Sequence, residues 1–393
     1  MIRLHVPAVP HTVTSNEHSH SAFTGKVLRF CPMMQKRGFE VYHYGIETSE
    51  VIADKNIDLM TKAEWEELRI LSFKFLHPEL KIEEVKAKMK DSKTILTDEL
   101  ANYSTPLYQE FNKRLRVELL KNYRGTSTDF FCIPLGRSYQ DALDGLNILC
   151  VEFGIGYKDA YQNYRIYESY CRMHTDYEVE KKNCQHYWFV IPHFFDSMEW
   201  PLNLYPDKKK IGYFGRIGEV KGCTIIVEIA RRFPQLEFIF CGQGDGEYYE
   251  QFSSNIKYRK PIHGLERGKF LSSLTALLAP TIYVEPFGCI SVEAQLCGTP
   301  VISNDLGGFT ETIEPFKTGV LCHTLADFCR AVQMTLEDKF DRNYIRERAK
   351  KIYDVDVIGP KYEYALKSIL EMHNGNNGWY SENTFMGLLS DCS

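Results

Sequence analysis

Residues 285–298 read Glu-Pro-Phe-Gly-Cys-Ile-Ser-Val-Glu-Ala-Gln-Leu-Cys-Gly, and the reading of this stretch decides the fold. Pro286 and Gly288 separate one carboxylate, Glu285, from an apolar run that carries a second, Glu293. Pro and Gly suit a tight turn. The run after Gly288 predicts a helix whose first N–H groups lack intrahelical partners. A helix end of that kind attracts anions, phosphate among them. Glu285 and Glu293 stand a little over two helical turns apart, so both can flank one ligand. Gly298-Thr299-Pro300 stops the helix, and Val301-Ile302-Ser303 starts a strand.

The same alternation extends in both directions. Upstream, Lys210–Phe214 reads as a strand, Val220–Phe233 as a helix, and Leu236–Cys241 as a strand followed by the glycine turn 242–246. Leu278–Val284 reads as a strand that ends at Glu285. Downstream, Leu325–Leu336, Arg342–Tyr353 and Lys361–Met372 read as helices, and the tail from His373 as loose chain. At the other end, residues 2–8 read as a strand and 10–21 as a polar loop with three histidines. Phe23, Val27, Phe30, Cys31 and Met34 recur at helical spacing, Gly38 ends that helix, and Phe39–Tyr44 is the next strand. This β-loop-α-β order opens a doubly wound sheet. Between residues 50 and 125 the charged stretches Ala63–Leu71, Ile82–Met89 and Gln109–Tyr123 predict helices whose order the pattern does not fix. Asp129–Pro134 and Asn147–Glu152 predict buried strands, Tyr161–His174 an aromatic helix, and Trp188–Pro192 a last strand. The polar segment 194–209, with two prolines and a triple lysine, predicts an interdomain linker. The expected layout is α/β: a first Rossmann-like domain at 1–195, a linker at 196–209, a second domain at 210–358, and a helix plus flexible tail at 359–393.

Composition narrows the classes. The 393 residues suffice for two domains, and 44% hydrophobic with 25% charged residues is ordinary for a globular protein. A net charge of −5 disfavours a general nucleic-acid surface. No stretch approaches the length of a membrane span. Met1-Ile-Arg-Leu-His-Val-Pro lacks the long apolar core of a signal peptide. Twelve cysteines without a CxxC pair, several in apolar runs, suit reduced thiols in a cytoplasmic compartment.

The 285–298 stretch resembles the Glu-x7-Glu element of GT-B glycosyltransferases, most closely the retaining family 4 group. Further residues carry the resemblance in order: Gly215-Arg216 with Lys221-Gly222, Gly242-Gln-Gly-Asp-Gly246, His263-Gly264, Gly307-Gly308 with Glu311, and Thr318-Gly319. Val190-Ile191-Pro192-His193 looks like the end of the N-terminal half, and residues 190–335 match throughout. The resemblance implies two Rossmann-like domains facing across a cleft, and a final helix crossing back to the first domain. It implies that the second domain binds a nucleotide-diphosphate sugar and the first an acceptor. Arg216 and Lys221 are implied to hold the donor diphosphate, Glu285 to contact the sugar and Glu293 the ribose. Gly242, His263, Phe287, Gly288, Cys289 and Ile290 complete the implied donor site. Sugar transfer with retention at the anomeric carbon follows, by a front-face route in which the leaving phosphate helps deprotonate the acceptor.

Each assignment has a plainer rival. Arg216 and Lys221 alone are surface cations, but a strand directly before them and Glu285 downstream favour the diphosphate role. Glu293, flanked by Val292 and Ala294, needs a partner if buried, either ribose hydroxyls or a nearby Arg. Gly242–Gly246 is Gly-x-Gly-x-Gly, a weak dinucleotide signal. Many family members place a His at the end of a central strand of the first domain; here Val151-Glu152-Phe153-Gly154 stands in that place. Glu152 either polarises the reacting face or is a structural carboxylate paired with Arg165 or Arg172. The family's glycine pair after the first strand is absent, leaving Gly25 and, further on, Tyr157 as acceptor-side candidates. His11, His18 and His20 have no metal-ligand spacing, and Asp354-Val-Asp356 lies outside the motif cluster. The expectation is therefore no metal and no separate cofactor. Family members can touch membranes peripherally, though no basic amphipathic helix here demands it. An epimerase or phosphorylase on the same fold, a non-catalytic nucleotide-sugar-binding protein and a nicotinamide-dependent oxidoreductase are the alternatives.

Overall fold

The computed structural model describes residues 1–19, 21–90, 101–181 and 187–375. Two compact units emerge among the described residues: those within 1–68, 102–192 and 356–375 form the first, and those within 69–90, 101 and 193–355 the second.

The first unit is built on a seven-stranded sheet: β1 (Arg3–Pro7), β2 (Glu40–Ile46), β3 (Lys55–Met60), β4 (Asp129–Ile133), β5 (Leu149–Ile155), β6 (Tyr164–Tyr167) and β7 (Trp188–Val190). The spatial order is β3-β2-β1-β4-β5-β6-β7, and every pairing is parallel. Strands buried on both faces read as continuous apolar runs. All five residues of Asp129-Phe-Phe-Cys-Ile and all seven of Leu149-Cys-Val-Glu-Phe-Gly-Ile are buried. Helix Ala22–Lys36 starts at Ser21, whose hydroxyl accepts from the Thr24 amide, and it buries Val27, Phe30, Cys31 and Met34 as the helical spacing predicts. Helix Val355–Asn374 also packs in this unit: Tyr362 meets Phe30, and Glu363 pairs with Arg37.

The second unit carries a six-stranded parallel sheet: β8 (Lys210–Phe214), β9 (Glu237–Cys241), β10 (Ile256–Arg259), β11 (Ala276–Ala279), β12 (Val301–Asn304) and β13 (Gly319–Cys322). Its order is β10-β9-β8-β11-β12-β13. In both sheets the chain first builds outward to one side, then returns to build the other. The reversal falls between β1 and β4 in the first unit and between β8 and β11 in the second. In open α/β sheets, ligands bind beyond the carboxyl ends of the strands at such a switch point.

Three sequence-based expectations are corrected. Tyr161–His174 is not one helix, because β6 occupies Tyr164–Tyr167 and the helix runs from Tyr170 to Glu180. The Ser169 hydroxyl accepts the Arg172 amide and fixes that helix start. The strand expected over Leu278–Val284 ends at Ala279, because Pro280 has no N–H to continue the ladder. The helix expected at Val220–Phe233 is shorter, Cys223–Ala230. Among the described residues no helix is long and apolar enough to cross a membrane.

Candidate active site

Strands β8 and β11 are neighbours in the second sheet, with Ile211 opposite Ala276 and Gly212 opposite Leu277. The loops that leave their carboxyl ends therefore meet. The loop after β8 holds Arg216 and, in a short 3-10 turn, Lys221. It is tied to the glycine turn after β9 by Gly215 N–H to Cys241 O (3.0 Å) and Ile217 N–H to Gln243 O (2.8 Å). Gly242 lies directly on the Gly215 backbone. The Ile282 N–H donates to Val220 O at 3.0 Å and joins the loop after β11.

From Ile282 to Glu285 alternate side chains point to opposite sides, as in a strand. Ile282 and Val284 are 55% and 51% exposed, whereas Tyr283 and Glu285 turn inward to Lys221. The Lys221 ammonium donates to Glu285 Oε2 at 2.9 Å and to the Tyr283 hydroxyl at 2.8 Å. It also lies 4.3 Å from the Tyr283 ring centroid. Burial, then the Glu285 charge, pushes the Tyr283 hydroxyl well above its ordinary value, while the Arg216 charge pulls it back. Arg216 has the same lowering effect on buried Tyr213. Cys289, the first residue of the next helix, also acts on Tyr283. Lys221 and Glu285 thus meet beside one phenol, on which the Arg216 and Cys289 charges also act.

Two glycines make this geometry accessible. Gly288 opens helix Cys289–Leu296 at φ 84° and ψ 55°, a left-handed conformation that L side chains rarely adopt. Gly308 presses on the preceding turn, where an added Cβ would lie 2.5 Å from Phe287 Cα and 2.6 Å from Phe287 O. The Gly308 N–H donates to Glu285 O at 2.7 Å. The Gly307-Gly308 pair is therefore a clamp on the backbone that presents Glu285.

Glu293 lies on the same helix and is 4% exposed. Its carboxylate pairs with Arg267 from helix Gly264–Ser273, and the Arg267 guanidinium stacks 4.7 Å from the Phe214 ring. Of the two partners open to Glu293, an Arg is present in the protein itself. His263 is the residue from which helix Gly264–Ser273 starts. Phe287 is 2% exposed and packs near His193 and Tyr353, so its side chain faces the core and its backbone faces the loop. Cys289 and Ile290 are half-buried against the same core.

Glu152 lies in the first unit at the middle of β5 and is fully buried. It accepts from the Tyr157 hydroxyl (2.8 Å) and from the amides of Tyr161 (2.6 Å) and Gln162 (2.7 Å). Burial raises its pKa against those three bonds. Arg165 and Arg172 ion-pair elsewhere, with Glu180 and Asp176. This arrangement suits a structural carboxylate, held by Tyr157 and two amides rather than by an Arg. Tyr157 itself is buried against Phe23, and Gly25 is buried in helix Ala22–Lys36. His11 bonds to the Tyr108 hydroxyl and His18 to Ser15; His20 lies outside the described residues.

Tyr283 and Arg267 are site residues that the sequence reading did not single out. A usable signal existed for Tyr283, since position i−2 from Glu285 shares its side of an extended chain. Arg267 precedes Glu293 by 26 residues and sits on a different helix, and no local pattern marks it.

The two doubly wound sheets define a GT-B glycosyltransferase fold. Sucrose-phosphate synthase from Thermosynechococcus elongatus superposes with a TM-score of 0.61 at 15% identity, over 94% of this chain and 99% of that one. HepE from Anabaena, solved with UDP-glucose, gives 0.61 at 13% identity over 94% and 100%. Within that architecture, residues 194–352 match the family model for glycosyl transferases group 1. A D-inositol 3-phosphate glycosyltransferase from Paenarthrobacter aurescens is 30% identical over 159 residues, 36% of this chain and 38% of the relative. Alignments with the curated relatives thus span little more than a third of their length, 36% and 38% for two of them.

Proposed function

We propose that this protein transfers a sugar from a nucleotide-diphosphate sugar to an acceptor hydroxyl, with retention at the anomeric carbon and without a metal ion. One observation carries the reading: Lys221 and Glu285 pair beside Tyr283 where the loops after β8 and β11 meet, at the switch point of the second sheet. As the bond to the sugar breaks, negative charge grows on the departing diphosphate. Preorganised cations stabilise that charge most in the transition state. Arg216 offers a two-pronged guanidinium and Lys221 a point charge, so these residues take the part a metal plays in other sites. Glu285 sits beside Lys221, where it can receive sugar hydroxyls. Arg267 holds the Glu293 carboxylate in one orientation for the ribose hydroxyls. The departing phosphate then accepts the proton of the incoming hydroxyl.

The acceptor falls to the first unit, at the ends of β1 and β4. A cytoplasmic setting suits the described cysteines, all free thiols and most of them buried. UDP-glucose is the first donor to try, because a neighbour of the same fold was solved with it.

A thermal-shift panel of UDP, GDP and their sugars tests the proposal, since a ligand that binds only the folded state raises the melting temperature. A shift with one nucleotide diphosphate is expected. Turnover of the matching donor should fall by ~100-fold in Lys221→Ala and in Glu285→Ala, the scale of one preorganised charge contact. No shift with any of these ligands, or near-normal turnover in both variants, refutes it.

A further inference from the structure

Lys221 and Glu285 neutralise one another at 2.9 Å. A cation that must meet a diphosphate and a carboxylate that must meet a sugar are thus paired before either ligand arrives. Donor binding has to open the pair. A lysine released from its carboxylate is a flexible four-carbon arm with three donors, and nothing in the ion pair itself would keep it aimed.

Tyr283 supplies that constraint. Its hydroxyl accepts from Lys221 at 2.8 Å while the same ammonium donates to Glu285 Oε2 at 2.9 Å. Its ring lies 4.3 Å from the ammonium, within cation–π range. The Tyr283 backbone sits between Ile282, whose N–H is fixed to Val220 O, and Glu285, whose carbonyl is held by the Gly308 N–H. The phenol therefore stays in place when the Glu285 side chain rotates. Lys221 has three N–H donors. One goes to Tyr283 and one to Glu285, and the third remains for a phosphate oxygen, joined by the second once Glu285 leaves.

We propose that Tyr283 is a positioning residue for sugar transfer: it keeps the Lys221 ammonium on the diphosphate after Glu285 turns from the ion pair to the donor sugar. The inference rests on the donor-site reading above and adds to it the order of events, pair first and separated charges second. Tyr283 needs no contact with the reacting atoms and acts through Lys221.

The test is Tyr283→Phe in the full chain, which keeps the ring and its packing and removes only the bridging hydroxyl. UDP affinity by calorimetry is expected to stay within about 3-fold, because the ring still holds the Lys221 ammonium and Arg216 still attracts the diphosphate. The rate of donor turnover at saturation should fall roughly 10- to 100-fold, the span of one hydrogen bond to a charged group. Because Tyr283 acts through Lys221, the double variant Tyr283→Phe/Lys221→Ala should turn over no more slowly than Lys221→Ala alone. A merely structural Tyr283 would instead lower the melting temperature and leave the rate per folded molecule unchanged. Additive losses in the double variant, or normal turnover in Tyr283→Phe, overturn the inference. If Lys221→Ala itself retains full turnover and full UDP affinity, the donor-site reading fails instead, and the two failures are distinguishable.

Discussion

Gly308→Ala adds a single methyl group against the turn that carries Glu285. That methyl would lie 2.5 Å from Phe287 Cα and 2.6 Å from Phe287 O, where ordinary contact begins at 3.4 Å. Neither neighbour is the end of a flexible side chain; both are backbone. The turn that carries Glu285 and Gly288 must therefore withdraw by about 0.9 Å to restore ordinary contact, and the Gly308 N–H bond to Glu285 O (2.7 Å) stretches with it. Overpacking of this kind costs about 1–3 kcal/mol of stability. The functional cost is larger in proportion. A misplacement near 1 Å of a positioned group lowers turnover by about 100-fold, because Glu285 and the helix start move together relative to Arg216 and Lys221.

The assay pairs urea unfolding with steady-state donor turnover at a temperature where the variant stays fully folded. The expected outcome is a shifted unfolding midpoint with unchanged slope, and kcat/KM lower by about 100-fold. Turnover within about 3-fold of wild type in a protein with an unaltered midpoint would mean that the turn yields freely. The clamp would then contribute nothing to aiming Glu285.

The remaining predictions concern buried charge. Arg267→Leu strands the Glu293 carboxylate, whose side chain is 6% exposed, and should cost about 3–5 kcal/mol in chemical unfolding. Glu293→Gln should cost less, since Arg267 keeps its stack on Phe214, yet should weaken nucleotide affinity; equal stability losses in the two variants would contradict this asymmetry. Glu152→Gln keeps one oxygen for the Tyr161 and Gln162 amides but loses the acceptor for the Tyr157 hydroxyl, so the melting temperature should fall while the rate per folded molecule holds; a large rate loss at full stability would assign Glu152 a catalytic role. His5 and His43 are buried, and burial holds both down to about 4 from 6.5. Unfolding lets them take up protons, so their stabilisation is complete above pH 6.5 and drains away as the pH falls towards 4. Each should forfeit about 2 kcal/mol between pH 7 and 5, and a His43→Gln protein whose melting temperature falls as steeply with acid as the wild type would refute the assignment.

What could be read from the sequence followed the physics of each element. Helices Leu325–Leu336 and Arg342–Tyr353 have the bounds their apolar spacing predicts, because each carries its own start signal: Thr324 with Asp327 in a capping box, and Asp341 at the second. Strands β3, β10 and β13 left no comparable trace. They are 4–6 residues long, and Lys257 and Arg259 on β10 are exposed, as suits a sheet edge. The apolar run through Ile282 and Val284 looked like strand because those side chains resemble one, yet Pro280 had already ended the ladder. The loop kept the alternation of a strand without its pairing, which is how Tyr283 and Glu285 come to share one side. In the candidate site the readable residues were glycines at close backbone approaches and cations after strand ends. Their partners, Tyr283 and Arg267, are set by tertiary packing and leave no local mark.

The two units solve the same topological problem in opposite ways. In the second, the switch point between β8 and β11 is lined by glycine, arginine and lysine, and its loops approach one another backbone to backbone. In the first, the loop after β1 has no glycine pair and is closed by side chains. Trp65 Nε1 donates to Pro10 O (2.9 Å), Tyr139 donates to Ala8 O (2.9 Å), His11 meets the Tyr108 hydroxyl (2.7 Å), and Thr12 meets Thr24 (2.5 Å). Four anchors from four different segments leave this loop little freedom. A diphosphate is common to many donors and is served by exposed amides and cations. A loop whose shape is fixed by tryptophan, tyrosine and histidine instead presents one surface, and, with the acceptor on the first unit as proposed, such a surface would discriminate among acceptors by fit. Trp65→Phe should therefore leave UDP affinity unchanged and relax the choice of acceptor, as measured by relative kcat/KM across an acceptor panel. Unchanged acceptor ratios, with the Pro10 carbonyl demonstrably released, would show that this loop does not select.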